Sequence, residues 1–207
     1  MRTMPSKHDR TVHLSRWSHL RRHGPRGYAD YERYRPWLRD EFAFRCVYCL
    51  LREMWGPFKG VYALDHFLPI ASRPDLALEF DNLLYGCVSC NLSKGSLETP
   101  DPLTALCDPE VTVTEDGEVR AATAPARKLI ELLRLNRPRL REFRELWIRI
   151  LRLAALHDVA LFQRLLGYPA DLPDLSTLRP PQGNSRPDGI AQSHLARRQR
   201  GELPDTY

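Results

Sequence analysis

Lysine is nearly missing from this 207-residue chain: only four of its 31 basic residues are lysine, and the other 27 are arginine. Arginine forks grip phosphates bidentately, but the same excess follows from GC-rich coding, so on its own it names no partner. There is no apolar run near the ~18 residues that a membrane helix needs. The first 26 residues are basic and lack the apolar stretch of a signal peptide. Both absences lead us to expect a cytoplasmic protein with no membrane partner, whose thiols stay reduced. Internal repeats are absent too, and no recognition helix or set of base-reading residues stands out. Arginine-rich faces address phosphates, which position a protein without specifying a sequence.

What is present points towards a polyanion. The net charge is +5 with a pI near 9.1, which favours an acidic partner without proving one. The length suits one domain with extensions, large enough to bury a core without disulfides.

The chain is organised around Cys46 to Lys94. Two Cys-x-x-Cys pairs, Cys46/Cys49 and Cys87/Cys90, bracket a 37-residue insert that contains Asp65-His66 and then Asn82; Asn91 and Lys94 follow the second pair. Four thiolates in two tight knuckles supply a closed tetrahedral zinc site, which is structural rather than catalytic. The insert exceeds the usual ~15–20 residues between knuckles, and it carries the chemistry. Val61 to Leu64 reads as a strand that ends at Asp65-His66. Phe67 to Asp81 reads as a loop around Pro69 and Pro74, and Asn82 to Tyr85 as the return strand. A short helix is expected from Asn91, which could cap it, to Gly95. His66 is the base available near neutral pH. Asp65 and Asn91 offer oxygens that suit Mg²⁺ or Mn²⁺, Asn82 can hold His66, and Lys94 can meet a phosphate as a point charge.

This stretch, 49 of the 207 residues, resembles the HNH endonucleases of the His-Me finger (ββα-metal) superfamily. The resemblance rests on Cys-x-x-Cys, Asp-His, Asn-Leu, Cys-x-x-Cys-Asn and Lys94. It implies an α+β fold with a ββα-metal core stapled by Zn²⁺, and metal-dependent hydrolysis of DNA, with RNA not excluded. His66 is then the general base, Asn82 positions it, and Asp65 with Asn91 holds the catalytic Mg²⁺ or Mn²⁺. Asn91 stands where many relatives have His; its amide oxygen is still a ligand. One base and one cation serve one strand, so a nick is expected. A double-strand break calls for a homodimer or two visits. Restriction or another genome-defence system, with or without a partner subunit, is one setting. Two other readings remain: a zinc-stabilised nucleic-acid-binding module without catalysis, and an RNA-cleaving or toxin-like nuclease.

Around this core the sequence suggests four parts. Residues 1–27 read as a flexible basic arm, with seven Arg or Lys against Asp9. Residues 28–99 hold the nuclease core with a preceding helix whose Tyr31, Tyr34, Trp37, Leu38 and Phe42 should pack on the zinc unit. In 100–167 a hairpin turns at Asp116-Gly117, followed by helices over Ala126–Leu135, from Pro138 with Asn136 as cap, and over Val159–Leu166. In the middle helix Leu140, Phe143, Leu146, Trp147, Ile150, Leu151 and Ala154 share one side, with Arg141, Arg144, Arg149 and Arg152 opposite. Residues 168–207 carry six prolines and read as a disordered tail. Cys107 reads as a packed thiol.

Overall fold

The computed structural model describes residues 21–56, 61–107 and 110–207. Most of the expected basic arm, residues 1–20, lies outside them. Within the described residues the chain is α+β, with eight α-helices and two small antiparallel sheets. No helix among them is long and apolar enough to cross a membrane.

The chain enters through a 3₁₀ turn, Tyr31–Tyr34, capped by the Asp30 side chain, and continues into α1, Arg35–Glu41, with Pro36 in its first turn. Proline is tolerated there because that amide would have no helical partner. α1 buries Trp37 and Leu38, and Tyr34 and Phe42 are buried at its two ends. Strand β1, Tyr62–His66, pairs antiparallel with β2, Leu83–Cys87, in the register Leu64↔Tyr85 and His66↔Leu83. Every residue of β2 is buried, so it shows none of the alternation of a half-exposed strand. Tyr62 and Tyr85, diagonal neighbours across the pair, stack with centroids 4.9 Å apart. Helix α2, Val88–Lys94, begins three residues before the expected Asn91; its cap position is Cys87, and Gly95 ends it.

α3, Pro102–Ala105, leads to the hairpin of β3, Thr112–Val113, and β4, Val119–Arg120. Gly117 in its turn has φ of 76°, and a Cβ there would lie 2.3 Å from the Arg141 carbonyl oxygen, so the turn needs glycine for both conformation and space. Helices α4, Ala124–Leu132, α5, Pro138–His157, and α6, Val159–Leu166, follow. Asn136 does not cap α5: its side chain accepts from Val119 N at 2.8 Å and donates to Val119 O at 2.9 Å, pinning the hairpin. Trp55 stacks on Trp147 of α5 at 4.6 Å and donates its indole N–H to Leu165 O, joining the two halves of the chain. One contiguous core runs from Tyr34 to Leu175 and includes the four knuckle cysteines.

Two expectations give way here. Arg144, expected opposite the apolar side of α5, is 5% exposed; it donates to Gly117 O at 2.6 Å and Leu135 O at 2.7 Å. The other arginines expected there face acids: Arg141 meets Asp116, Arg152 Glu115 and Arg149 Glu145. The carboxy-terminal segment is ordered rather than disordered. It forms α7, Asp188–Ala191, and α8, His194–Gln199, and buries Leu172, Leu175 and His194. Its partners are remote in sequence, so proline content misled. Gly24 and Arg26 bond to the backbone around Gly183–Ser185, Arg186 forks onto Asp81, and His194 N–H donates to Asp40 at 2.8 Å. The close approach of residues 22 and 189 requires Gly189, where a Cβ would lie 1.9 Å from Arg22 O.

Candidate metal centre and adjoining polar site

The first knuckle is a tight reversal. An isolated bridge pairs Arg45 with Arg52, Cys46 N–H donates to Leu51 O at 2.9 Å, and Leu50 N–H returns to Cys46 O at 3.0 Å. Leu50 turns the chain with φ of 58°, a conformation costly for a residue with a Cβ and held by the buried surroundings. Val47 N–H donates to Tyr85 O at 2.9 Å, which lays the knuckle against β2. The second pair sits where β2 becomes α2, with Cys87 at the cap and Cys90 in the first turn. The four sulfurs lie within 4.8 Å of one another, all four residues are buried, and none forms a disulfide.

This cluster can hold a metal ion such as zinc, and the electrostatics around it fit. Burial, reinforced by the three neighbouring cysteines, pushes the Cys46 thiol well above its ordinary range; a bound cation is what keeps such thiols ionised. A tetrathiolate around a divalent ion is a buried dianion and needs positive charge nearby. Arg144 lines one small cavity together with Cys49. Burial lowers its guanidinium to about 10, against the pull of Cys49 and Cys90. Its Nη1 has no hydrogen-bond partner among the described residues. A buried arginine with no carboxylate beside it suits an anionic metal centre.

Beyond the knuckles, β1 delivers Asp65 and His66 to the same end of the sheet. His66 is half-buried. Its Nε2 lies 2.9 Å from the Ala77 carbonyl oxygen, and the Tyr31 ring meets it edge-on at 4.9 Å. A carbonyl only accepts, so Nε2 carries the proton and Nδ1 keeps the lone pair of the neutral ring. Asn82 makes no hydrogen bond to the imidazole. It accepts from Leu68 N–H at 2.8 Å and donates to Leu68 O at 3.1 Å and Leu76 O at 3.2 Å. Asn82 therefore fixes the loop whose next residue, Ala77, holds His66.

Asp65 and Lys94 depart from expectation. Asp65 is 4% exposed; the Tyr48 hydroxyl donates to one carboxylate oxygen, and Lys94 Nζ donates to the other at 3.1 Å. Burial raises the Asp65 carboxyl, with Lys94 and Tyr48 opposing. Lys94 is 1% exposed and also donates to His66 O at 2.6 Å, so in this arrangement it is a buried counter-ion rather than a surface contact for phosphate. Asn91 sits half-exposed on α2, one residue after Cys90. With an ammonium already against Asp65, Asp65 and Asn91 do not fit a hard cation as arranged. Among the described residues the cysteines are the one group of three or more His, Cys, Asp or Glu side chains placed to bind a metal.

Sequence reasoning missed Tyr48, the Ala77 carbonyl and Arg144. Tyr48 lies between the first-knuckle cysteines, and that position is the only signal that could have found it. Comparisons with known protein families, with curated proteins and with solved structures find no match.

Proposed function

We propose that this chain is a DNA-cleaving nuclease of the HNH type, a ββα unit stapled by Zn²⁺ in which His66 is the general base. The observation that carries the reading is the hydrogen bond from His66 Nε2 to Ala77 O. It leaves Nδ1 as the proton acceptor on a half-exposed ring at the end of a strand, which is what activation of a water requires. His66 takes a proton as the water oxygen bonds to phosphorus, the bond from phosphorus to the leaving oxygen breaks, and solvent protonates that oxygen. Asn82 acts through the loop, as a positioning residue. The resemblance assigns Mg²⁺ or Mn²⁺ to Asp65 and Asn91, where a hard cation would stabilise charge on the phosphate. Lys94, already bonded to Asp65, stands against that assignment.

The sealing of Asp65 by Tyr48 and Lys94 favours a second reading, a zinc-stapled nucleic-acid-binding module without catalysis. Nicking of supercoiled plasmid by the wild type and His66→Ala, with Mg²⁺, Mn²⁺ or EDTA, separates the two. The nuclease reading requires activity that His66→Ala abolishes.

A further inference from the structure

An open cleft of about 720 Å³ lies between the β3–β4 hairpin and the α4–α5 turn. Four arginines line it, Arg120, Arg127, Arg134 and Arg137, against two carboxylates, Glu118 and Glu131. Glu118 is spent on Arg120, at 2.9 Å. Arg127 and Arg137 donate to backbone carbonyls and, for Arg137, to Ser89 Oγ at 2.7 Å. Among the described residues no acid pairs with Arg127, Arg134 or Arg137. This contrasts with Arg141, Arg149 and Arg152 on α5, each of which faces an acid. Arg134 has φ of 50°, the left-handed conformation that turns the chain from α4 towards α5 and puts two arginines at one bend. The hydrogen bond to Ser89 joins this wall to α2, the helix that carries Cys90 and Asn91.

We propose that this cleft grips the phosphate backbone of a nucleic acid, with Arg127, Arg134 and Arg137 pairing with the phosphates. Guanidinium forks match phosphate geometry, and the apolar floor of Val119, Ala121 and Ile130 can lie against sugars. The choice of nucleic acid as the polyanion rests on the nuclease reading. The arginines address backbone alone, so binding is insensitive to base sequence and falls steeply with salt.

The test is fluorescence anisotropy of labelled duplex and single-stranded oligonucleotides across a salt series. It uses full-length zinc-loaded His66→Ala protein, so that cleavage cannot interfere. Arg127→Ala keeps a good helix former, and Arg134→Asn suits the left-handed backbone, so the double variant should keep the fold; Arg127→Ala alone, at an exposed helix residue, is the fallback if its melting temperature drops, with a loss of about one unit of slope. Removing one arginine that neutralises a phosphate lowers the slope of log K against log salt by about 1, so the double variant should lose about two units of slope for every sequence tried. Arg200→Ala, in the carboxy-terminal segment, should lose none. An unchanged slope in a folded variant, or no binding by the parent, overturns the proposal. If plasmid is nicked and the slope does not move, the cleft is wrong and the nuclease reading stands. If nothing is nicked but the slope falls, the cleft stands and the catalytic reading fails.

Discussion

No hydrogen bond joins Asn82 to His66, yet Asn82 determines where His66 points. It clamps the backbone of Leu68 and Leu76, and the next carbonyl, Ala77, receives His66 Nε2. Asn82→Ala removes the partner of the Leu68 N–H and carbonyl, while Leu76 O keeps the Glu79 N–H, at a cost of about 1–3 kcal/mol in stability. The ring also loses its fixed tautomer. Urea unfolding reads the first effect. The imidazole nitrogen NMR shifts read the second, and unchanged shifts would contradict this coupling.

Lys94 and Asp65 form a buried ion pair, and removing one partner strands the other. Lys94→Met should destabilise the protein by about 3–5 kcal/mol, far more than truncation of an exposed lysine. In a double-mutant cycle with Asp65→Asn the two costs should not add. Near-wild-type stability with weakened nucleic-acid binding would return Lys94 to the surface role expected from sequence.

Metal content separates the cysteines. The wild type and Cys107→Ser should each carry one zinc per chain, whereas Cys90→Ser should lose it, and chelation should collapse the core that the cysteines share. Arg144→Met should give up its metal to a chelator sooner than the wild type, because the tetrathiolate loses a buried counter-charge. Equal rates would remove Arg144 from that role.

Asp40 clasps both terminal segments. His23 Nε2 lies 2.9 Å from one carboxylate oxygen and His194 Nδ1 3.0 Å from the other. Burial alone would raise this carboxyl, but the hydrogen bonds from His194 and His23 hold it well below the usual aspartate range. A depressed folded value contributes stability that is fully present above the unfolded value of about 3.9 and is lost as pH falls towards the folded one. Burial raises the neighbouring Glu41, with the opposite sign, so the informative quantity is the difference between the wild type and Asp40→Asn. That difference should shrink as pH is lowered below about 4, followed by denaturant unfolding; a difference constant with pH would contradict the assignment.

The local elements were largely legible. Asp116-Gly117 marked a hairpin, Pro138 opened α5, α6 spans Val159–Leu166 as its pattern indicated, and the strand into His66 was placed correctly. The cysteine spacing also foretold the tetrad. What escaped depends on packing between distant segments. Nothing in the local sequence says that Lys94 folds inwards onto Asp65 or that Arg144 faces the cysteines. The proline-rich segment is held by Asp40 and Asp81, more than a hundred residues away. The arginine cleft likewise exists only because a hairpin and a helix bend meet.

Whether His66 is the base of a nuclease is decided by supercoiled-plasmid nicking with zinc-loaded wild type and His66→Ala, purified in parallel and assayed with Mg²⁺, Mn²⁺ or EDTA. We expect open-circular product from the wild type with added cation and a loss of at least about 100-fold in the variant, the lower end for a general base. Equal nicking by both proteins, or none by either across duplex, single-stranded and RNA substrates, would refute the assignment.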